Sequence, residues 1–241
     1  MAGSGTGSMR GIIPRAIQQV GAYKTELESK GWVYQIEVSF IEIYNESIRD
    51  LLRSTSVEDV KHEIKRDAAG NMFVTEVTMT PVDPNNNQQM DGILELAARH
   101  RSVEKTAMNE RSSRSHSVFT LHLCASNVSQ GVLLKGTLSL VDLAGSERLD
   151  RSQAAGARMK ETVAINKSLS SLVDVFAAIG NKQSHIPFRN SKLTYLLSPA
   201  LSGDGKTLMV RLSQLIHTPT YTHYSLHCSL TARPNPLDFL L

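Results

Sequence analysis

Two short polar segments hold the residue types that could manage a phosphate and a metal ion. In "VDLAGSE" (141–147) a strand-like run ends at Asp142 and turns at once through Gly145. An aspartate at the carboxyl end of a strand can hold Mg2+ through water, and a glycine lets a backbone N–H approach a terminal phosphate with no Cβ in the way. The second segment, "NERSSRSHS" (109–117), sets four serine hydroxyls, Arg111, Arg114 and His116 just ahead of another strand-like run. Hydroxyls ligate Mg2+ and polarise an attacking water, and an arginine beside them suits a phosphate. Each segment also has a plain structural reading, a common DxxG turn and a solvated polar loop. A third segment, "ALSGDGKTLMV" (200–210), carries Gly-Lys-Thr, the tail of many phosphate loops. There the GxxxxGK(S/T) pattern needs a glycine where Ala200 stands, and it needs a strand before the loop and a helix after it. The order here is reversed, so the triplet reads as a polar turn leading into a strand.

The elements that must position these segments alternate between helix and strand, which gives an α/β class. "MAGSGTGSMRG" reads as a flexible Gly/Ser-rich loop, and "IIPRAIQQVGAY" as an amphipathic helix begun near Pro14. "WVYQIEVSFIEIY" (32–44) alternates as a strand, with Tyr34, Ile36, Val38 and Phe40 on one face. "NESIRDLL" predicts a short helix capped by Asn45, "DAAGN" a hairpin turn, and "MFVTEVTMTPV" a strand. "NNNQQMDGILELAARHRSVE" predicts a helix, and "SVFTLHLCAS" a strand with Phe119, Leu121 and Leu123 together. "LLKGTLSLVDLAGSE" gives the strand that ends at Asp142. In "KETVAINKSLSSLVDVFAAIG", Ile165, Leu169, Leu172, Phe176 and Ile179 recur at helical spacing until Gly180 closes the helix.

Bulk properties narrow the class without naming a function. With 241 residues, 41% hydrophobic and 20% charged, the chain can bury a core of one domain or a large part of one. A net charge of +3 leaves attraction to an acidic partner to local patches. Cys124 and Cys228 lie far apart with no zinc spacing, which predicts a reducing compartment. The sequence contains no unbroken run of 18 apolar residues, so the expectation is a soluble, intracellular protein.

Taken together, "NERSSRSHS", "LVDLAGSER", "INKSLSSL" and "HIPFRNSKLTYLL" resemble the kinesin motor domain, in family order and spacing, over roughly Gly11 to Met209. Within kinesins, "GIIPRAI", "HRSVEKTAMNERSSRSH" and "LSGDGKTLM" are most similar to the C-terminal-motor, minus-end-directed kinesin-14 group. The resemblance implies an incomplete kinesin-type three-layer domain, mostly a central mixed sheet flanked by helices. It also implies ATP and Mg2+ as ligands, microtubules (tubulin) as partner, and neither nucleic acid nor membrane. The expected place is the cytoplasm and its microtubule cytoskeleton, the spindle among the candidates. Residue by residue, Asn109, Ser112, Ser113 and Gly145 would face the nucleotide, with Ser112 near the attacking water. Ser113 and Asp142 would serve the metal. Arg114 would pair with Glu147 as a latch that closes around a γ-phosphate. The helix from Asn166 to Leu172 would be the relay helix on the microtubule. Arg158 and Lys160 in the loop before it, Lys167 at its start, and His185, Arg189 and Lys192 would contact acidic tubulin.

The same resemblance implies departures. Kinesins carry their phosphate loop and three sheet strands ahead of the point where Met1 aligns, so this stretch is expected to lack the P-loop, the adenine pocket and unaided ATPase turnover. Exposed sheet edges would then favour aggregation. The division is 1–10 loop, 11–209 partial motor domain and 210–241 divergent tail, where Pro234 and Pro236 preclude a continuous final helix. A frame-shifted or mis-spliced gene would produce both departures. Two other readings stand beside a motor fragment: a non-hydrolysing microtubule-binding module and a non-functional truncated product.

Overall fold

The computed structural model describes residues 10–54, 60–68, 70–102, 114–145, 157–202, 205–210 and 229–232. Its centre is a seven-stranded sheet in the order β2-β1-β6-β7-β9-β8, with β5 also on β1. These strands are β1 (Val33–Tyr44), β2 (Ser47–Asp50), β5 (Thr80–Pro81), β6 (His116–Asn127), β7 (Val132–Asp142), β8 (Lys206–Thr207) and β9 (Ser229–Ala232). A separate hairpin joins β3 (Ile64–Arg66) to β4 (Met72–Val74). Each described pairing is antiparallel.

Period-two alternation makes the sheet two-faced, and each face finds a helical layer. Ile36, Val38 and Phe40 of β1 join Phe119 and Leu121 of β6 and Leu138 and Leu140 of β7 on one side. Over them pack α1 (Ile12–Glu28), through Ile13 and Ile17, and α2 (Asn87–Ser102), through Met90, Ile93, Leu94 and Ala97. Phe40 and Phe119 face each other in register, edge to face, with ring centroids 5.5 Å apart. On the opposite side Ile41, Ile43, Val118 and Val141 meet α3 (Ala157–Gly180) and α4 (Lys192–Leu201) through Leu172, Leu193 and Leu197. The α/β class and the three layers agree with expectation.

Three local readings change. "NESIRDLL" does not start a helix: Asn45 (φ 49) and Glu46 (φ 56) take left-handed conformations, reverse the chain and send Ser47–Asp50 back along β1. A pair of left-handed residues matches the twist of two flanking strands, and asparagine tolerates it best among non-glycines. "MFVTEVTMTPV" is not one strand, because left-handed Glu76 (φ 54) separates β4 from β5. The Asp50 carboxylate pins that crossing by accepting from Leu52 N at 2.8 Å and Thr78 N at 2.6 Å. Finally, Ser229–Ala232, inside the stretch read as a divergent tail, forms β9 between β7 and β8.

Helix α3 contains a stretch, Val163–Gly180, long and apolar enough to cross a bilayer by length and composition, although Asn166, Lys167 and Asp174 interrupt it. One side, with Leu172, Val175 and Ala178, is buried, while Val163 and Val173 point outward at 57% and 65% exposure. Its described outer surface mixes these apolar side chains with polar and charged ones, Asn166, Lys167, Ser170 and Asp174.

Candidate functional site

The carboxyl end of β7 converges with the start of β6, the carboxyl half of β1, the end of α2 and the middle of α3. Two buried polar groups organise the junction. Glu42 of β1 is fully buried, and a carboxylate out of water is destabilising unless it is paired. Ser115 Oγ donates to Glu42 Oε1 at 2.7 Å, and Arg101 Nε forms an ion pair with the same oxygen at 3.4 Å. Arg101 arrives from the last turn of α2 and also reaches Ser115 Oγ at 3.4 Å and Asp142 Oδ2 at 3.9 Å. One guanidinium thus joins a buried glutamate to the strand-end aspartate.

The second group is His116, at 2% exposure. The Ala144 N–H donates to His116 Nδ1 at 3.0 Å, and since an amide can only donate, Nδ1 carries the lone pair. The proton therefore sits on Nε2, which donates to Ser168 Oγ at 2.7 Å, and Ser168 Oγ in turn donates to Ile165 O at 2.7 Å. Burial, with help from the Arg101 guanidinium, holds the imidazole neutral and pushes its pKa down to about 4. Ile43, Asn45, Glu46, Arg114, His116, Ala164, Ile165 and Ser168 line a small cleft beside it.

The residues expected to do chemistry are only partly assembled among the described ones. Asp142 lies at the end of β7, half-buried and against Arg101, and Gly145 follows in the irregular segment 143–145. Arg114 borders the cleft. Asn109, Ser112, Ser113 and Glu147 lie outside the described residues, and with them the Arg114–Glu147 latch. Arg158 and Lys160, expected in a loop, fall within α3, which begins at Ala157; their side chains lie outside the described set. Lys167 is exposed on α3, and His185 is exposed beyond its end. Arg189 is exposed, its guanidinium carbon 5.7 Å from the Tyr195 ring centroid. Lys192 opens α4, its amide donating to Glu46 Oε2 at 2.9 Å.

Among the described residues no group of three or more His, Cys, Asp or Glu could hold a metal ion. Mg2+ does not need one: it keeps several waters and takes one or two protein oxygens plus phosphate oxygens. An aspartate at a strand end, here half-buried and 3.9 Å from the Arg101 guanidinium, is a donor of that kind. Sequence reasoning missed Glu42, Arg101 and Ser168, and it held Ser115 only as one of the four serines of 109–117. The only signal for Glu42 was an acidic residue inside the apolar run "FIEIY".

With this geometry in place, comparison with known proteins fixes the class. The kinesin motor domain family matches residues 1–229, and the chain belongs to that family. It is 51% identical over 240 residues to kinesin-like protein KIN-14M of Arabidopsis thaliana, covering 95% of this chain and 31% of that protein. The motor domain of the kinesin-like protein KAR3 of Saccharomyces cerevisiae superposes with a TM-score of 0.69 at 48% identity, over 81% of this chain and 58% of that one. A KIF14 segment with ADP in complex with a microtubule gives 0.72 at 34% identity, over 84% and 59%. The chain thus spans about a third of the length of KIN-14M. Its likeness to KIN-14 and KAR3 proteins agrees with the kinesin-14 resemblance read from its motifs.

Proposed function

We propose that the chain is part of a microtubule-based motor that couples ATP binding and hydrolysis to movement along microtubules. The observation that carries this reading is the meeting, at His116, of the strand-end turn with Asp142 and Gly145, the residue Arg114, and helix α3. A γ-phosphate and its Mg2+ supply charge that draws a turn and a loop inward. Asp142 and Ser113 would hold the metal, and Gly145, Asn109 and Ser112 would face the nucleotide. Arg114 and Glu147 would close over it. Because the turn and α3 share a contact, such closure reaches the outer surface of the molecule. There Lys167, Arg189, Lys192 and His185, with Arg158 and Lys160, would meet acidic tubulin, and the place of action would be the microtubule cytoskeleton.

The 241 residues contain no GxxxxGK(S/T) loop, so this stretch alone is expected to bind microtubules without turning over ATP. The test is co-sedimentation with taxol-stabilised microtubules, with ATPase activity read in the same tubes across a salt series. Binding that weakens with salt, as clustered surface charges require, supports the microtubule face. Nucleotide turnover by this stretch alone would contradict the role assigned to a phosphate loop, and absence of binding would remove the microtubule face.

A further inference from the structure

We propose that His116 is a positioning residue that couples the turn after β7 to helix α3, by holding the Ala144 amide on one ring nitrogen and the Ser168 hydroxyl on the other. This deepens the motor reading and rests on it for its use, although the coupling itself is a property of the described residues. Three groups form a single file: the Ala144 N–H donates to Nδ1 at 3.0 Å, Nε2–H donates to Ser168 Oγ at 2.7 Å, and Ser168 donates to Ile165 O at 2.7 Å. Each bond runs in the same sense, from the turn into the helix. Ala144, His116 and Ser168 are all at 2% exposure or less.

Burial is what converts a chain of bonds into a coupling. On a wet surface a displaced amide exchanges its partner for water at little cost, whereas in a dry junction both abandoned groups stay unsatisfied. The imidazole is rigid and both of its nitrogens are used in opposite roles, one accepting and one donating. A shift of Ala144 therefore either drags the ring, and with it Ser168, or strands a donor and an acceptor. Ser168 is not free to compensate, because its own proton is committed to Ile165 on the same helix. The turn that carries Gly145 and the helix that carries Lys167 are thus biased to move together. Val118 and Val141 against Leu172 supply apolar contact at the same junction, but such packing has no direction and tolerates sliding.

The deciding experiment is residue-resolved amide exchange on the 241-residue chain. Ser168→Ala leaves the Ala144 amide and both ring nitrogens in place and removes the helix-side acceptor together with its bond to Ile165 O. The expected result is exchange at Ala144 at least tenfold faster, with the Phe119 and Leu121 amides in β6 unchanged. His116→Gln, which keeps one acceptor and one donor, is expected to stay within about threefold of the parent, and His116→Phe to behave like Ser168→Ala or worse. Unchanged Ala144 exchange in Ser168→Ala, or acceleration spread equally over β6, would overturn the proposal. Should Ser168→Ala not fold, nitrogen-15 spectra of the parent chain still decide, because an Nδ1–H tautomer at His116 is incompatible with the file of bonds. Adding microtubules is then expected to slow Ala144 exchange in the parent and not in Ser168→Ala. If microtubules do not bind at all, the motor reading fails while the exchange comparison still judges the ring.

Discussion

Acidification is expected to destabilise the fold through His116 by a predictable amount. The imidazole ordinarily titrates near 6.5, and in the folded chain it is held down to about 4, first by burial and then by Arg101. Above pH 6.5 neither folded nor unfolded chain carries the proton, and the full stability is present. Between 6.5 and 4 the unfolded chain takes up a proton that the folded one refuses, so stability falls as pH falls, and the loss levels off below about 4. At about 1.4 kcal/mol per tenfold change, the gap corresponds to roughly 3 kcal/mol. That is a large share of the roughly 5–15 kcal/mol that holds a typical domain together. The assay is urea unfolding at pH 7 and pH 4 for the parent and for His116→Gln. Carboxylate effects and His122, whose pKa burial also lowers, appear in both proteins and cancel in the double difference. The parent is expected to lose about 2–3 kcal/mol more than the variant. Equal losses would show that the ring is not held neutral, and the tautomer assignment on which its two bonds depend would fall with it.

Three further outcomes follow from the packing. Phe119→Ala removes a fully buried ring from the face shared by α1 and α2 and is expected to cost about 3–5 kcal/mol in chemical denaturation. Arg101→Met strips the fully buried Glu42 of its guanidinium and is expected to cost about 3–5 kcal/mol, with Glu42→Gln in the same chain restoring part of it, read by the same unfolding midpoints. Ser191→Ala deletes the side chain that caps α4 by accepting from Thr194 N, a loss of about 1 kcal/mol that thermal melts resolve.

The sheet was legible because its strands obey one rule throughout: Ile36, Val38 and Phe40 alternate toward one layer while Ile41 and Ile43 face the other. The long helices were legible for the corresponding reason, with Leu172 recurring at helical spacing against the sheet. The hairpin at Asn45 was misread because asparagine serves equally as a helix cap and as a left-handed turn residue. What selects the turn is the strand partner, through pairs such as Tyr44 with Ser47, which a local window does not contain. Glu42 and Ser168 were missed for a related reason. On a strand or helix taken alone each reads as a solvent-facing polar residue, and each becomes structural only when Arg101 or His116 arrives from a distant part of the sequence. The end of β7 at Asp142 was legible because the largely apolar run "LSLV" stops there at a carboxylate, a local pattern that needs no distant partner.

The β6–β7 hairpin has a consequence for when and where the molecule comes apart. Its ladder runs from Asn127 opposite Val132, beside the turn at 128–131, to Ser117 opposite Asp142. Asn127 Oδ1 gathers the turn by accepting from Ser129 Oγ and Gln130 N, so the chain can close the hairpin from that end as a zipper, with little loop entropy to overcome. The rung at Asp142 is then the last to close. Local opening is cheapest where little is buried, and that is beside 128–131, where Val128, Leu133 and Leu134 are exposed, rather than at Val118 and Val141. The end that zips first is thus also the exposed end that frays first, while the last rung to form is held shut by the buried junction around His116.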